Sequence, residues 1–517
     1  MNKTRLSGAI GLSLAWVMAL PLCQAHGGDA SVSPSQVGAV SFANSGAKAA
    51  QRDFLIGLAQ LHNFEYWAAA EAFRRAQKAD PNFALAYWGE AMTYNHPLWA
   101  QQDRVAARAA LLRLGETPAL RRAKAQTERE KAYLDALETL YGEGDKLDRD
   151  RRYADAMRQL HERFPNDIDA TCFYALALMG TSHEGRHLPS YIKAAALMTE
   201  AFHAYPQHPG AAHYLIHAVD DPLHAPLGLA AARAYSKIAP AAAHAQHMTS
   251  HIFIAMGMWD EVVQANEAAK RIADQARAAK GRPPSGCGHG PAWLEYGYLQ
   301  QGRLADARRV LAACADEAQR RPSLSEGADL LDVDGSSAAS FAAMRARYLI
   351  DTGDGAGEAA AMTADLSAVP VAEFERDHVD ALMALRRPPP ESADGVVERA
   401  EKSAARVRAA IDEAGLPARH PSRLALQIHL DQLHGLQALR RGDTEGALAI
   451  LRKAAADEAA LPYEFGPPTI RKPGNELLGE VLLALGRRAE AAAAFDAALE
   501  LAPGRVLSVQ GRQRAQP

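Results

Sequence analysis

Asn475 to Gly486 reads NELLGEVLLALG, and Arg488 to Leu501 reads RAEAAAAFDAALEL, closed by Pro503. Apolar residues recur at three- and four-residue spacing in both segments, which places them on one face of a helix. Gly486 stands between the two, where a left-handed residue ends a helix. Pro503 cannot continue the second helix and so terminates the unit. Ala and Gly at the facing positions let the two axes approach closely. The stretch predicts a short antiparallel helix pair with one apolar face.

The same grammar recurs upstream. Asn166 to Gly180 pairs with Tyr191 to Tyr205, and Ala211 to Val219 with Leu227 to Ile238, closed by Pro240. Ala241 to Gly257 pairs with Asp260 to Ala278, Ala292 to Gly302 with Ala305 to Arg320, and Arg423 to Arg441 with Glu445 to Ala459. GRLADA, GDTEGA and GRRAEA mark the mid-pair turns. A Trp-, Leu- and Gly-bearing first helix, an A-x3-F second helix and a closing Pro resemble the tetratricopeptide repeat. The fold expected is therefore all-α, a tetratricopeptide-like superhelical solenoid of antiparallel helix pairs. Such arrays build a concave groove from their first helices, which implies a protein or peptide partner.

The bulk numbers agree. The 517 residues are 48% hydrophobic and 23% charged, with Ala and Leu dominating the apolar share, and the formal net charge is −4. A balance this near neutral gives no global attraction to nucleic acid or anionic membrane, so no nucleic-acid partner is expected.

Lys3 and Arg5 precede an uncharged apolar run, Leu6 to Leu22, and Cys23-Gln24-Ala25 follows. This pattern predicts a secretory signal peptide over residues 1–25, cleaved after Ala25, and a periplasmic or secreted product with no integral membrane segment. The run is shorter than the ~20 residues a span needs. Residues 26–48, rich in Gly, Ser and Ala, read as a flexible leader. Residues 49–322 form an N-terminal repeat lobe, 323–390 an irregular helical region that divides the array, and 391–517 a C-terminal lobe. In an oxidising compartment, Cys287 before one helix and Cys314 late in the next are expected to form a disulfide, with Cys172 left as a buried thiol.

The histidines are unevenly spread. Of 19 in the chain, eight fall between His203 and His251. His213 and His217 are four apart and share a helix face, with Asp220 three further on. His244, His247 and His251 again lie on one face. His213 to His247 and His217 to His251 are each 34 residues apart, the tetratricopeptide period, so both faces are expected to look into the same stretch of groove. Neutral imidazole is the commonest ligand of first-row transition metals, so one reading places Cu, Zn or Fe on His213, His217, His244, His247, His251 and Asp220, and the other is a polar, aromatic-lined groove that holds its ligand with no metal or other cofactor. His96, His289 and Trp293 are further groove candidates. His62, His161, His429 and His434 read as satisfied core or polar residues, and His203, His208 and His224 as turn or cap residues. The loop Leu461 to Pro473, LPYEFGPPTIRKP, reads either as an ordered cover for one end of the groove or as a linker. No zinc-protease HExxH, nucleophile elbow, P-loop, dinucleotide fingerprint or CxxC is present.

HPGAAHYLIHAVDDPLHA (residues 208–225), IAPAAAHAQHMTSHIFIAMGMWDEVVQAN (238–266) and FRRAQKADPNFALAYWGEAMTYNHPLW (73–99) are similar to a group of exported bacterial tetratricopeptide proteins with histidine-bearing helices. The resemblance spans most of residues 50–320 and the final repeat. It implies export and this fold, and makes His213, His217, His247 and His251 part of the group's signature, without supplying a reaction. Two readings follow: a periplasmic binding scaffold whose groove carries a histidine-rich transition-metal site, or a metal-dependent periplasmic enzyme using the same cluster.

Overall fold

The computed structural model describes residues 32–320, 336–387, 393–416 and 420–516. Residues 1–25, read from the sequence as a signal peptide, and the cleavage site expected after Ala25 lie outside them. The described residues form 25 α-helices and one two-stranded bridge between Asn95–His96 and Gln101–Gln102. Successive helices pack as antiparallel pairs, and the pairs stack into a superhelix, as expected of the repeats. No described helix is long and apolar enough to cross a membrane.

The pairing follows from side-chain size. A methyl group on Gly479 would lie 2.9 Å from the ring of Phe495 in the facing helix, so the aromatic fills the space that glycine leaves. The turn glycines Gly302, Gly442 and Gly486 have φ of 70°, 84° and 76°, the left-handed cap anticipated for GR and GD turns. First and second helices differ in burial. All eleven residues of Pro209–Val219 are buried, whereas Ala225–Ile238 buries only one face. A first helix is flanked by two second helices and also faces the interior of the superhelix, so it has no side left for water.

Two expectations are corrected. The leader predicted as flexible over 26–48 is packed from residue 32 on. Val37 and Phe42 are buried, the Asn63 side-chain amide donates to the Val37 carbonyl at 2.7 Å, and the Ser45 backbone N–H donates to Glu130 at 2.7 Å. Its low helical periodicity reflects an extended strap, not mobility. Second, the described residues of 323–390 do not separate two lobes; 323–335 and 388–390 lie outside the described residues. The described part of that region, with helices Ser337–Thr352 and Pro370–Arg386, is continuous with the second core through Phe341, Met344, Val379 and Leu382. The two cores meet instead at Trp259–Ala279 and His289–Gln300, where Trp293 and Tyr296 face the first core and Leu294 and Tyr298 the second.

The array curls back on itself. The indole N–H of Trp259 donates to the Gly504 carbonyl at 2.8 Å, and the Val506 backbone N–H donates to Gln300 at 2.9 Å. Arg505, fully buried, joins Asp351 and Glu476. The last repeat is thereby docked on the middle of the array, and the segment just before it is carried across the histidine helices. Cys287 and Cys314 are disulfide-bonded, and Cys172 is a buried free thiol.

Candidate metal centre

Three consecutive first helices, Pro209–Val219, Ala243–Ala255 and His289–Gln300, stand side by side with their histidines facing one another. They group in more than one way: His217 and His251, one repeat apart, share a group with Asp220, and two further trios mix the repeats. One trio is His213, His217 and His244; the other is His247, His251 and His289. Within each trio the candidate ligand nitrogens lie within 4.8 Å of one another. Nε2 of His213 is 3.2 Å from Nε2 of His244, and Nε2 of His247 is 3.3 Å from that of His251 and 3.0 Å from that of His289. The two trios bring together His213, His217, His244, His247 and His251 with His289, which the sequence marked only as a groove residue.

The outward nitrogens explain why Nε2 points inward. Nδ1 of His213 donates to the backbone carbonyl of His62 at 2.6 Å. Nδ1 of His247 donates to Oδ1 of Asn266 at 2.7 Å; the Asn266 amide is itself oriented by donating to the Val262 carbonyl. Nδ1 of His251 donates to Oδ2 of Asp220 at 3.0 Å. A neutral ring protonated at Nδ1 carries an unprotonated lone pair at Nε2. Nε2 of His247 lies 3.3 Å from Nε2 of His251 and 3.0 Å from Nε2 of His289, whose ring can donate to it. Nε2 of His217 is buried and makes no hydrogen bond. Lone pairs held this way are the outer-partner arrangement that orients metal-ligating imidazoles.

A second buried set provides the contrast. His62 donates from Nε2 to Asp169 at 2.9 Å and accepts at Nδ1 from Tyr214 at 3.0 Å. His208 accepts the Ala211 N–H at Nδ1, capping its helix, and reaches Asp169 with Nε2 at 3.3 Å. Each ring nitrogen there has a donor or a proton, so the core and cap readings of His62 and His208 suffice without a cation.

Asp220 sits between the trios, 3.0 Å from Nδ1 of His251 and 3.7 Å from Nδ1 of His217. Burial acts to raise its pKa, but Arg186 at 2.5 Å and the two imidazoles outweigh it and hold the carboxyl ionised, well below the usual range. It orients both rings and, with His217 and His251, forms a group whose ligand atoms lie within 4.8 Å of one another. Burial and neighbouring rings keep His213 and His244 far below an ordinary imidazole; burial brings His251 down to about 4, against the pull of Asp220. All three are neutral near pH 7, the form that binds metal.

Aromatic residues close the site. Phe64, held at a positive φ of 56° in the turn after Gln51–His62, lies 4.4 Å from His213 and 5.6 Å from His244, ring centre to ring centre. A non-glycine residue in this region is uncommon and costs energy, which the packing around it sustains. Trp293 stacks on His251 at 4.5 Å, and Phe465 approaches the same ring at 4.8 Å. Phe465 belongs to the Leu461–Pro473 loop, which is thus an ordered cover over the second trio. Gly466 meets Trp293 so closely that a Cβ there would lie 2.5 Å from the indole. His96, in contrast, stacks on Tyr66 at 4.1 Å and joins neither trio. Sequence reasoning missed Phe64, Arg186 and Asn266, which come from turns and second helices with no histidine pattern to mark them.

The chain matches no family model and no curated protein. Among solved structures it is similar to human IFIT1 with m7Gppp-AAAA, at 12% identity over 92% of this chain and 90% of that chain, with a TM-score of 0.38. It is also similar to yeast Tom70, at 12% identity over 90% and 92% of the two chains and a TM-score of 0.36. The APC/C hetero-tetramer Cut9–Hcn1 gives 12% identity, 92% and 78% coverage and a TM-score of 0.32.

Proposed function

We propose that this is an exported helical-repeat scaffold whose superhelix encloses a transition-metal site, and that peptide or protein partners dock on the remaining concave surface. The observation that carries the metal reading is the buried Nε2 of His217, which makes no hydrogen bond, on a ring grouped with His213 and His244 so that the three ligand atoms lie within 4.8 Å of one another. A buried ring nitrogen left without a partner costs free energy that a bound metal ion would recover. The nitrogen spacings of 3.0 to 3.3 Å are close to the edge of a tetrahedron of ligands at ~2.0–2.1 Å from one ion. Periplasmic location rests on the signal-like N-terminus and is part of the proposal.

Elemental analysis of full-length protein purified from the periplasm tests it. Near-stoichiometric first-row metal, lost in a folded His217→Ala, His251→Ala double variant, is expected. Protein that carries no metal and takes up neither copper nor zinc on titration would refute the metal reading and leave an exported polar-grooved scaffold.

A further inference from the structure

We infer that the second half of the array holds a site for a free α-amino acid, whose carboxylate meets Arg347 and whose ammonium group meets Glu295. The site shares no residue with the histidine cluster and does not depend on the metal reading. It lies where the helices His289–Gln300, Ser337–Thr352, Pro370–Arg386 and Pro421–Arg440 pack each against the next. They supply in turn Glu295, Arg347, Glu375 with His378, and His429, and the Leu461–Pro473 loop supplies Arg471. All six side chains are buried. Among the described residues, neither oxygen of Glu295 and neither Nε nor Nη1 of Arg347 has a hydrogen-bond partner. The two groups stand 3.7 Å apart, beyond hydrogen-bond reach. Arg471 and Glu375 pair at 3.1 Å, yet Nε of the one and Oε2 of the other are again without partners. His378 has none at either ring nitrogen. His429, read from the sequence as satisfied, is so only at Nδ1, which donates to the Ala425 carbonyl at 2.7 Å; its Nε2 has no partner. The two imidazole rings are 4.6 Å apart. Buried polar atoms are nearly always paired, so this many exceptions in one place call for a ligand.

The inventory of these atoms selects the ligand. A guanidinium only donates, whereas a carboxylate oxygen accepts, so the ligand must carry both acceptors and donors. Charge narrows the choice. Two guanidiniums and two carboxylates sum to zero; an added anion or cation would remain an unbalanced buried charge, and a zwitterion would not. Spacing narrows it again. Arg347 and Glu295 are so close that the charges answering them must be adjacent, as the carboxylate and ammonium group on one carbon atom are. Burial pushes the Glu295 carboxyl well above its usual range and lowers the Arg347 guanidinium, which marks both as charges without adequate partners. The charge of Arg471 bears on Arg347, Glu295, His378 and His429 alike, so it stands centrally among them. The loop that carries Phe465 to the histidines thereby forms a wall of this second site as well.

The test is calorimetric titration of the chelator-treated full chain with each of the standard α-amino acids, the chelator removing any metal that an amino acid could itself bind. Saturable binding of at least one of them is expected. Its N-acetyl derivative and its methyl ester each lack one charge, and a dipeptide beginning with it separates the two charges. All three should bind about tenfold more weakly or worse, since hydrogen bonds to charged groups are lost. Arg347→Met and Glu295→Gln, checked for fold by circular dichroism, should weaken binding of the parent to the same degree. No saturable binding by any amino acid would overturn the inference and leave buried water as the partner of these groups. An ester or N-acetyl compound that binds as tightly as the parent would overturn it too, whether or not the variants fold. A dipeptide that binds as tightly would overturn it in favour of a peptide end. Copper or zinc titration of the same chain tests the metal reading separately, so either can fail alone.

Discussion

Nδ1 of His251 lies 3.0 Å from Oδ2 of Asp220, and the other oxygen of that carboxylate is held by Arg186 at 2.5 Å. The guanidinium fixes the carboxylate, and the carboxylate fixes the ring. Asp220→Asn keeps the size but removes the charge that makes the imidazole a better donor, and outer partners of this kind are worth ~10–100-fold in metal affinity. A loss of that order in a competitive chelator titration is expected, with the stoichiometry unchanged. An unaltered affinity would show that Asp220 serves only the Arg186 pair.

The repeat period makes the histidine helices legible in the amino-acid sequence, because equal 34-residue offsets force equal orientation. The grouping is legible there only in part: the period pairs His217 with His251, which the structure gathers with Asp220, whereas the superhelical offset between neighbours brings His244 to His213 and His289 to His247. His289 also falls outside the period: the 21-residue helix Trp259–Ala279 and the connection after it push it 42 residues from His247. Phe64 and Phe465 reach the site only because the array curls, a property that no local pattern encodes. The strap at residues 32–48 resembles a flexible leader for the same reason, since its two anchors, Val37 and Phe42, are too few to make a period.

The aromatic cover over the second trio gives a kinetic prediction. Phe465 contacts His251 and shares its loop with Gly466, which is pressed against Trp293. Phe465→Ala removes contacts made only in the closed arrangement. Metal release to an external chelator should accelerate roughly tenfold, corresponding to about 1.4 kcal/mol of lost closure, with little change in the amount bound. Stopped-flow chelator competition measures it; an unchanged release rate would mean that the metal leaves by another route.

The Cys287–Cys314 bond closes a loop of 27 residues. By the loop-entropy relation, removing it should cost about 3.5 kcal/mol at most. The bond ties the connection before His289–Gln300 to Leu304–Arg320, so its loss should loosen the helix that presents His289. Denaturation of the Cys287→Ala, Cys314→Ala variant should show a lower midpoint in the absence of metal, partly restored by saturating copper. Equal midpoints for variant and wild type would leave the disulfide without a stabilising role.

The buried carboxylate of Glu476 makes acid stability a probe of how the array closes. It accepts from Arg505 at 2.9 Å, Lys472 at 2.8 Å and Ser508 at 2.6 Å, while Arg505 also reaches Asp351 at 2.5 Å. Burial pushes the pKa of Glu476 up, but Arg505 and Lys472 outweigh it and bring it down to about 2, from 4.5. Below its folded value the carboxyl is protonated in both states, and above 4.5 it is ionised in both. Between them only the unfolded chain binds the proton, so the stability this group contributes is complete above pH 4.5 and lost as pH falls toward 2. The full effect is about 3 kcal/mol. Glu476→Gln should be less stable near neutrality, by ~3–5 kcal/mol, because Arg505 and Lys472 lose a buried partner. It should also lose part of the decline that wild type shows below pH 4.5. Urea midpoints measured across that range, with chelator present so that metal loss does not contribute, compare the two slopes. Parallel slopes would place the acid sensitivity elsewhere, and would mean that the docking of the last repeat does not depend on this charge.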